Sequence, residues 1–255
     1  MSGPRVAAFW RHPIKSHGRE RVARVTLARG QAMPWDRCWA VTHEATRHDG
    51  TGWSPCREFS IGSKSPGLQA IEAESDRQAG TVTLRHPERP TLTIRPDDPD
   101  DPEDAERFIG WVRPISNPDR ARPAQLVRVE GTAMTDTDFP SLSLINLASH
   151  AAVEAELGQA LSPLRWRGNI LFEGFAPWAE MRWIGKRLRL GHVEMEIIEP
   201  IQRCMATTAN PETGQRDADT LGALNRGFGH QDCGVYARVV QGGQLHEGDP
   251  IEVLA

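Results

Sequence analysis

Apolar and polar positions alternate with a period of two over residues 24–27, 38–42, 81–86 and 91–95, with turn-forming residues between them. This alternation predicts strands with one buried face. Segments 81–86 (TVTLRH) and 91–95 (TLTIR) flank Pro87, Glu88, Arg89 and Pro90, the composition of an exposed hairpin with a four-residue connection. The second half repeats the theme: residues 167–173, 187–190, 193–199, 234–240 and 251–254 alternate or run apolar, separated by Gly174, Gly191, Gly242 and Gly243.

Three helices interrupt the strands. The first follows the linker PDDPDDPEDAE (96–106), whose Asp-Asp-Pro steps disfavour regular structure until Asp101 caps a helix. Ala105, Phe108, Ile109 and Val112 form its apolar stripe, and Pro114 closes it. The second is predicted over 147–157, with Leu147, Ala151 and Ala155 on one face and Gly158 as the stop. A short third helix covers 220–225. The fold class expected is therefore mainly β (α+β), a β-barrel-like N-terminal domain interlocked with a C-terminal β-barrel that carries a few helices.

Thirty basic and 34 acidic side chains give a net charge of −4, so no global field favours nucleic acid or an anionic membrane. The N-terminus has no apolar run of signal-peptide length and no segment is apolar enough to span a bilayer, which makes a cytoplasmic protein the expectation. The acidic run from Asp97 to Glu106 could dock a basic redox partner, although such runs are usually solvated faces. No G-x-G-x-x-G or G-x-x-x-x-G-K turn is present, which removes the usual evidence for a nucleotide on a doubly wound sheet. Cys38, Cys56, Cys204 and Cys233 lack C-x-x-C spacing, which argues against a disulfide framework or an iron–sulfur cluster. Eight tryptophans accompany a single tyrosine, and core packing is the reading for Trp10, Trp35, Trp39 and Trp53.

Chemistry concentrates in residues 201–214, IQRCMATTANPETG, a loop expected at the end of the 193–199 strand. Arg203 can favour the thiolate of Cys204, the form that attacks or ligates a soft metal, and Thr207 and Thr208 add hydroxyls. A lone cysteine is otherwise a small buried hydrophobe. The clusters HPIKS (12–16), WDR (35–37) and RWRGNI (165–170) carry the cations that suit a phosphate, or else are surface charges.

These clusters recur together in a known family. Residues 6–16 (VAAFWRHPIKS), Gly30 and 36–39 (DRCW), then 167–170 (RGNI), 175–180 (FAPWAE), 183–185 (WIG), 203–208 (RCMATT), 210–214 (NPETG), Phe228-Gly229 and 248–253 (GDPIEV) resemble MOSC proteins. That family is named after the C-terminal domain of the molybdenum cofactor sulfurase and includes the mitochondrial amidoxime reducing component and its bacterial relatives. The resemblance implies a MOSC N-terminal β-barrel-like domain over 1–110 and a MOSC domain over 111–255. It further implies a molybdenum cofactor (molybdenum held by a molybdopterin dithiolene) with Cys204 as the metal's protein ligand and catalytic centre. Lys15, Ser16, Arg37 and Arg167 match positions around the pterin and its phosphate, Asn169, Arg203, Thr207 and Thr208 lie in matching loops, and Asn146 aligns more loosely. Arg37 and Arg167 are each expected to pair with the ligand phosphate and not with a buried carboxylate. Gly168 stands where the family usually has proline, which implies a looser backbone.

No aminotransferase-like, pyridoxal-phosphate-dependent domain and no appended ferredoxin domain is expected. The function implied is an oxidoreductase that reduces a small N-hydroxylated substrate with electrons from an external electron-transfer protein. A cofactor carrier or storage module, and a sulfur carrier with a persulfide on Cys204, are the alternatives.

Overall fold

The computed structural model describes residues 3–98 and 103–254. The first part of the chain forms β1 (Arg5–Arg11), β2 (Glu20–Val22), β3 (Arg24–Leu27), β4 (Trp39–His43), β5 (Glu72–Asp76), β6 (Thr81–His86), β7 (Arg89–Ile94), α1 (Glu103–Val112) and β8 (Pro123–Arg128). It continues through β9 (Leu142–Asn146), α2 (Leu147–Leu157), β10 (Ile170–Glu173), β11 (Arg187–Leu190), β12 (Val193–Gln202), α3 (Thr220–Phe228), β13 (Asp232–Gln241), β14 (Gly243–His246) and β15 (Ile251–Val253). None of the described helices is long and apolar enough to cross a membrane.

An eight-stranded sheet in the order β15-β11-β12-β13-β9-β10-β1-β2 forms the larger lobe. Hydrogen bonds Val6 N to Asp249 O (2.9 Å), Gly248 N to Val6 O (2.8 Å) and Ile251 N to Pro4 O (3.0 Å) tie β1 to the chain before β15 and close the sheet on itself. Alternation then decides what fills the barrel: Val193, Met195 and Ile197 of β12 and Val235, Ala237 and Val239 of β13 point into one core, joined by Val25, Leu27 and Leu245 from the β3–β14 ribbon. Because β1, β2 and β3 come from the N-terminus, the two lobes interlock. The smaller lobe sets the ribbon β4–β8 and the meander β5-β6-β7 against α1, around Phe108, Val112, Val82, Leu84 and Leu68.

Several expected elements shift for identifiable reasons. The hairpin turn is two residues, Pro87 and Glu88, because His86 pairs with Arg89. Pro90 is tolerated within β7 because that strand is the edge of its sheet. The expected cap Asp101 lies outside the described residues. Asp104 is buried at the start of α1 and accepts from Arg95 N (2.7 Å), and Pro114 is absorbed into a 3-10 turn, Arg113–Ile115, instead of ending the helix abruptly. Helix α2 has the expected bounds, capped by the Asn146 side chain on Ala148 N and by Gly158 at φ 66°, but buries a different face. Ala151 and Ala155 are exposed while Ser149, His150 and Val153 are buried. The polar pair is accommodated because each member is bonded: Ser149 Oγ donates to Glu180 (2.7 Å), and Trp166 Nε1 donates to His150 Nδ1 (2.9 Å).

Candidate functional site

Between the lobes lies a cavity of about 440 Å³ whose wall takes Lys15, Ser16 and Arg37 from the N-terminal segment and Arg167, Arg203 and Cys204 from the barrel lobe. Its barrel side is a row of polar residues set by strand register. Glu199 of β12 pairs with Tyr236 of β13, which pairs with Ser143 of β9, and all three line the cavity. Directly paired residues share a sheet face, so this row stands on the outer face while Val235 and Ala237 fill the barrel. Ser16 (φ 62°), Arg37 (φ 50°) and Arg167 (φ 51°) are left-handed non-glycine residues that line the cavity. Each such conformation costs roughly 1–2 kcal/mol, and strain of this kind concentrates where side chains must be aimed at a ligand.

The cations differ in how they are held. Buried Lys15 ion-pairs with Asp136 and donates to Met134 O (3.0 Å) and Thr135 O (3.2 Å). Arg37 pairs with buried Asp36 and donates to Asn169 Oδ1 (3.3 Å) and Arg167 O (3.1 Å). Burial alone would raise the Asp36 carboxyl, yet the adjacent Arg37 guanidinium and His12 hold it at about 2. Arg165, buried at the same wall, reaches Asp217 (3.2 Å) and Thr207 O (2.9 Å) and leaves its Nε without a partner among the described residues. Arg167 has no carboxylate partner among the described residues, only Gln69 Oε1 (3.3 Å) and Gly18 O (3.1 Å). Burial, with Arg37 and Arg19 nearby, pushes its guanidinium down to about 9. Among the described residues Arg203 bonds carbonyls alone, Cys233 O (2.7 Å from Nε) and Trp166 O (2.9 Å), with its guanidinium 5.4 Å above the Trp166 ring. The half-buried Arg167 and buried Arg203 guanidiniums at this wall therefore lack a carboxylate among the described residues, an arrangement that an anionic ligand would complete.

Cys204 follows β12 and is the N-cap of a 3-10 turn, Met205–Thr208. Its thiol is exposed at the cavity and makes no hydrogen bond among the described residues. The backbone is what is pinned: Thr207 N and Thr207 Oγ1 both donate to Cys204 O at 3.1 Å, and Thr207 Oγ1 lies 2.8 Å from Thr220 Oγ1. The result is a rigid loop carrying a free thiol.

Comparison with known proteins agrees with this layout. Residues 3–122 match the MOSC N-terminal beta barrel domain, and residues 134–252 match the MOSC domain. The chain belongs to the MOSC family. It is 32% identical over 144 residues to the molybdenum cofactor sulfurase of Drosophila grimshawi, covering 51% of this chain and 18% of that protein. It is 31% identical over 120 residues to that of Caenorhabditis briggsae, covering 45% and 16%. The chain thus spans less than a fifth of the length of these curated relatives. The solved YUAD protein of Bacillus subtilis aligns over 98% of this chain and 94% of its own at 12% identity and a TM-score of 0.48.

In this MOSC chain Lys15, Ser16, Arg37, Arg167, Arg203, Thr207 and Cys204 line one cavity, whereas Asn146, Asn169 and Thr208 stand outside its wall. Asn146 is fully buried and occupied, capping α2 and donating to Glu180 (2.8 Å) and Ala176 O (2.9 Å). Asn169 acts behind the wall, accepting from Ser143 Oγ (2.9 Å) and Arg37 and so orienting that guanidinium. Thr208 donates to Met205 O (2.8 Å). The expectation that Arg37 avoids a buried carboxylate is corrected by Asp36, and the guanidinium of Arg203 is turned onto carbonyls. Nor is Gly168 loose: a Cβ there would fall on the Ile145 side chain, so the bare backbone is what allows close packing. Cys233 is buried, its thiol pushed up to about 12 by burial, and Cys38 is half-buried. Cys56 lines the cavity and donates to Asp136 (3.2 Å). Cys56, Asp136 and Tyr236 carried no local sequence signal, because none sits in a recognisable motif.

Two histidines behind the site make the fold acid-sensitive. Burial and the charge of Arg167 push His12 down to about 3, and burial pushes His17 down to about 4. Both are neutral when folded and take up a proton near pH 6.5 when unfolded. Their contribution is fully present above pH 6.5 and is lost as pH falls towards 4 and then 3. The unfolding free energy should drop with a slope approaching about 2.7 kcal/mol per pH unit, two protons' worth. Urea unfolding at a series of pH values measures it, and a flat response between pH 6.5 and pH 5 would refute the assignment.

Proposed function

We propose that this chain binds a molybdenum–pterin cofactor in the cavity, with Cys204 as the metal's protein ligand, and reduces N-hydroxylated compounds with electrons from a separate protein. The observation that carries the reading is an exposed thiol on a rigid loop, unbonded among the described residues, opening on the same cavity as the half-buried Arg167 and buried Arg203 guanidiniums, neither of which has a carboxylate partner among the described residues. The residues fit such a group: Arg165 has an orphaned buried Nε, and the Ser16 hydroxyl has no protein partner among the described residues. The names of the curated relatives, molybdenum cofactor sulfurases, support the cofactor class.

When bound, the group would supply two-electron redox chemistry at a metal. Arg167, Arg165 and Ser16 would hold its phosphate by charge-assisted bonds, and Cys204 would donate a soft sulfur to the metal. No group of three His, Cys, Asp or Glu among the described residues could hold a metal by itself, so the remaining ligands would come from the cofactor. Asn169 and Asp36 keep Arg37 aimed at the cavity, and Lys15 holds Asp136 as a carboxylate.

Purified protein assayed for molybdenum, and then for reduction of a hydroxylamine or amidoxime by a reduced viologen dye, tests the reading. Metal with turnover is the expected result. Metal without turnover on any N-hydroxylated compound would indicate a carrier or storage protein. Absence of metal together with cyanide-labile sulfur would indicate a persulfide on Cys204.

A further inference from the structure

The chain's single tyrosine stands in the middle of the cavity's polar row, with Glu199 and Ser143 as its direct strand neighbours. Its hydroxyl makes no hydrogen bond among the described residues, although the surrounding polar groups are largely committed. Ser143 Oγ donates to Asn169 (2.9 Å), the Cys56 thiol donates to Asp136 (3.2 Å), and Asp136 is held by Lys15. Tyr236 is half-buried and lines the cavity, so its uncommitted hydroxyl is open to a ligand acceptor there.

We propose that Tyr236 is the residue that donates a hydrogen bond to the nitrogen-bound oxygen of the substrate and delivers a proton to that oxygen as it departs. The proposal rests on the reductase reading above and names the acid for its reaction. In the balanced step R–NH–OH takes up two electrons and two protons and becomes R–NH2 and water. The N–O bond breaks with its electron pair on oxygen, and the Tyr236 Oη proton completes the water. Nitrogen takes the two electrons, supplied from a reduced viologen dye, and the second proton from solvent, which also reprotonates the phenolate.

The surroundings keep the phenol protonated until that moment. Burial pushes its ionisation up, the negative charge of Asp136 adds to the rise, and Arg203 and Arg37 oppose it. The neighbouring Cys56 thiol, pushed up to about 11 by burial and by Asp136, also holds its proton at neutral pH. Even so raised, a phenol is a stronger acid than the water being formed, whose bulk value is about 15.7. Proton transfer to a departing hydroxide therefore runs downhill.

The test compares wild type with Tyr236→Phe, which keeps the ring and removes one oxygen. Molybdenum content and melting temperature should be unchanged, while kcat for benzamide oxime falls by about a hundredfold or more, the usual worth of a positioned acid. A second measurement is independent of turnover: affinity for benzamide oxime should fall about tenfold and affinity for benzamidine, which lacks the oxygen, should not change. Turnover within about threefold of wild type, with equal loss of affinity for both ligands or none for either, overturns the role of Tyr236 and leaves the reductase reading standing. If wild type carries metal but reduces nothing, the reductase reading and the proton-transfer step fail together. An oxime-specific binding loss in Tyr236→Phe would then still retain Tyr236 as the oxygen-binding donor, and its absence would remove that too.

Discussion

A Cys204→Ser protein is expected to fold with the melting temperature of the wild type and to purify without molybdenum. The thiol is exposed and bonded to nothing among the described residues, and the loop geometry is held by Thr207 on the Cys204 carbonyl, which the substitution leaves intact. Oxygen for sulfur at that position removes the soft donor, and a serine hydroxyl is hardly ionised at neutral pH. Loss of groups that merely support a metal's ligands already costs about 10–100-fold in affinity or activity, so turnover should fall by more than about a hundredfold. Metal analysis and X-ray absorption at the molybdenum edge measure the first effect, and amidoxime reduction the second. Cys38→Ser and Cys233→Ser serve as controls and should keep the metal. Wild-type absorption at the edge with undiminished activity in Cys204→Ser would remove the thiolate from the mechanism.

The second large effect is a contrast between two arginines that look alike in the sequence. Arg37→Ala strips the partner from Asp36, a fully buried carboxylate. Breaking such a pair costs about 3–5 kcal/mol, a large share of a total stability of about 5–15 kcal/mol. Arg167→Gln removes a cation whose side-chain bonds among the described residues run to Gln69 and Gly18 and whose charge is disfavoured by burial and by Arg37 and Arg19. The cofactor-free protein should therefore be as stable as wild type or more so, while a ligand phosphate loses a charge-assisted bond worth about 1.5–3 kcal/mol. In urea unfolding Arg37→Ala should collapse and Arg167→Gln should not, and in cofactor-release kinetics Arg167→Gln should dissociate faster. Equal destabilisation by both changes would mean that Arg167 is a structural strut.

Both effects turn on distinctions that lie at different levels of the molecule. Local chemistry was readable along the chain: period-two alternation marked strands such as β6, β12 and β13, Leu147–Leu157 was stopped by Gly158, and the Arg-Cys-x-x-Thr-Thr loop fell at a strand end. The motif clusters also marked Lys15, Ser16, Arg37, Arg167 and Cys204, which share one wall in the fold. These features depend on near neighbours, and periodicity and capping act over a few residues.

Pairing depends on residues far away in the chain. Lys15 meets Asp136 across 121 positions and Arg37 meets Asn169 across 132, so only the tertiary structure reveals which cations are neutralised and which are left for a ligand. It also decided that Ser149 and His150 are buried in place of Ala151 and Ala155, because their hydrogen bonds to Glu180 and Trp166 offset the cost of removing them from water. The placement of Cys56, Asp136 and Tyr236 has the same origin. Strand register and the docking of the two lobes bring them to one cavity, and neither can be read from the residues beside them.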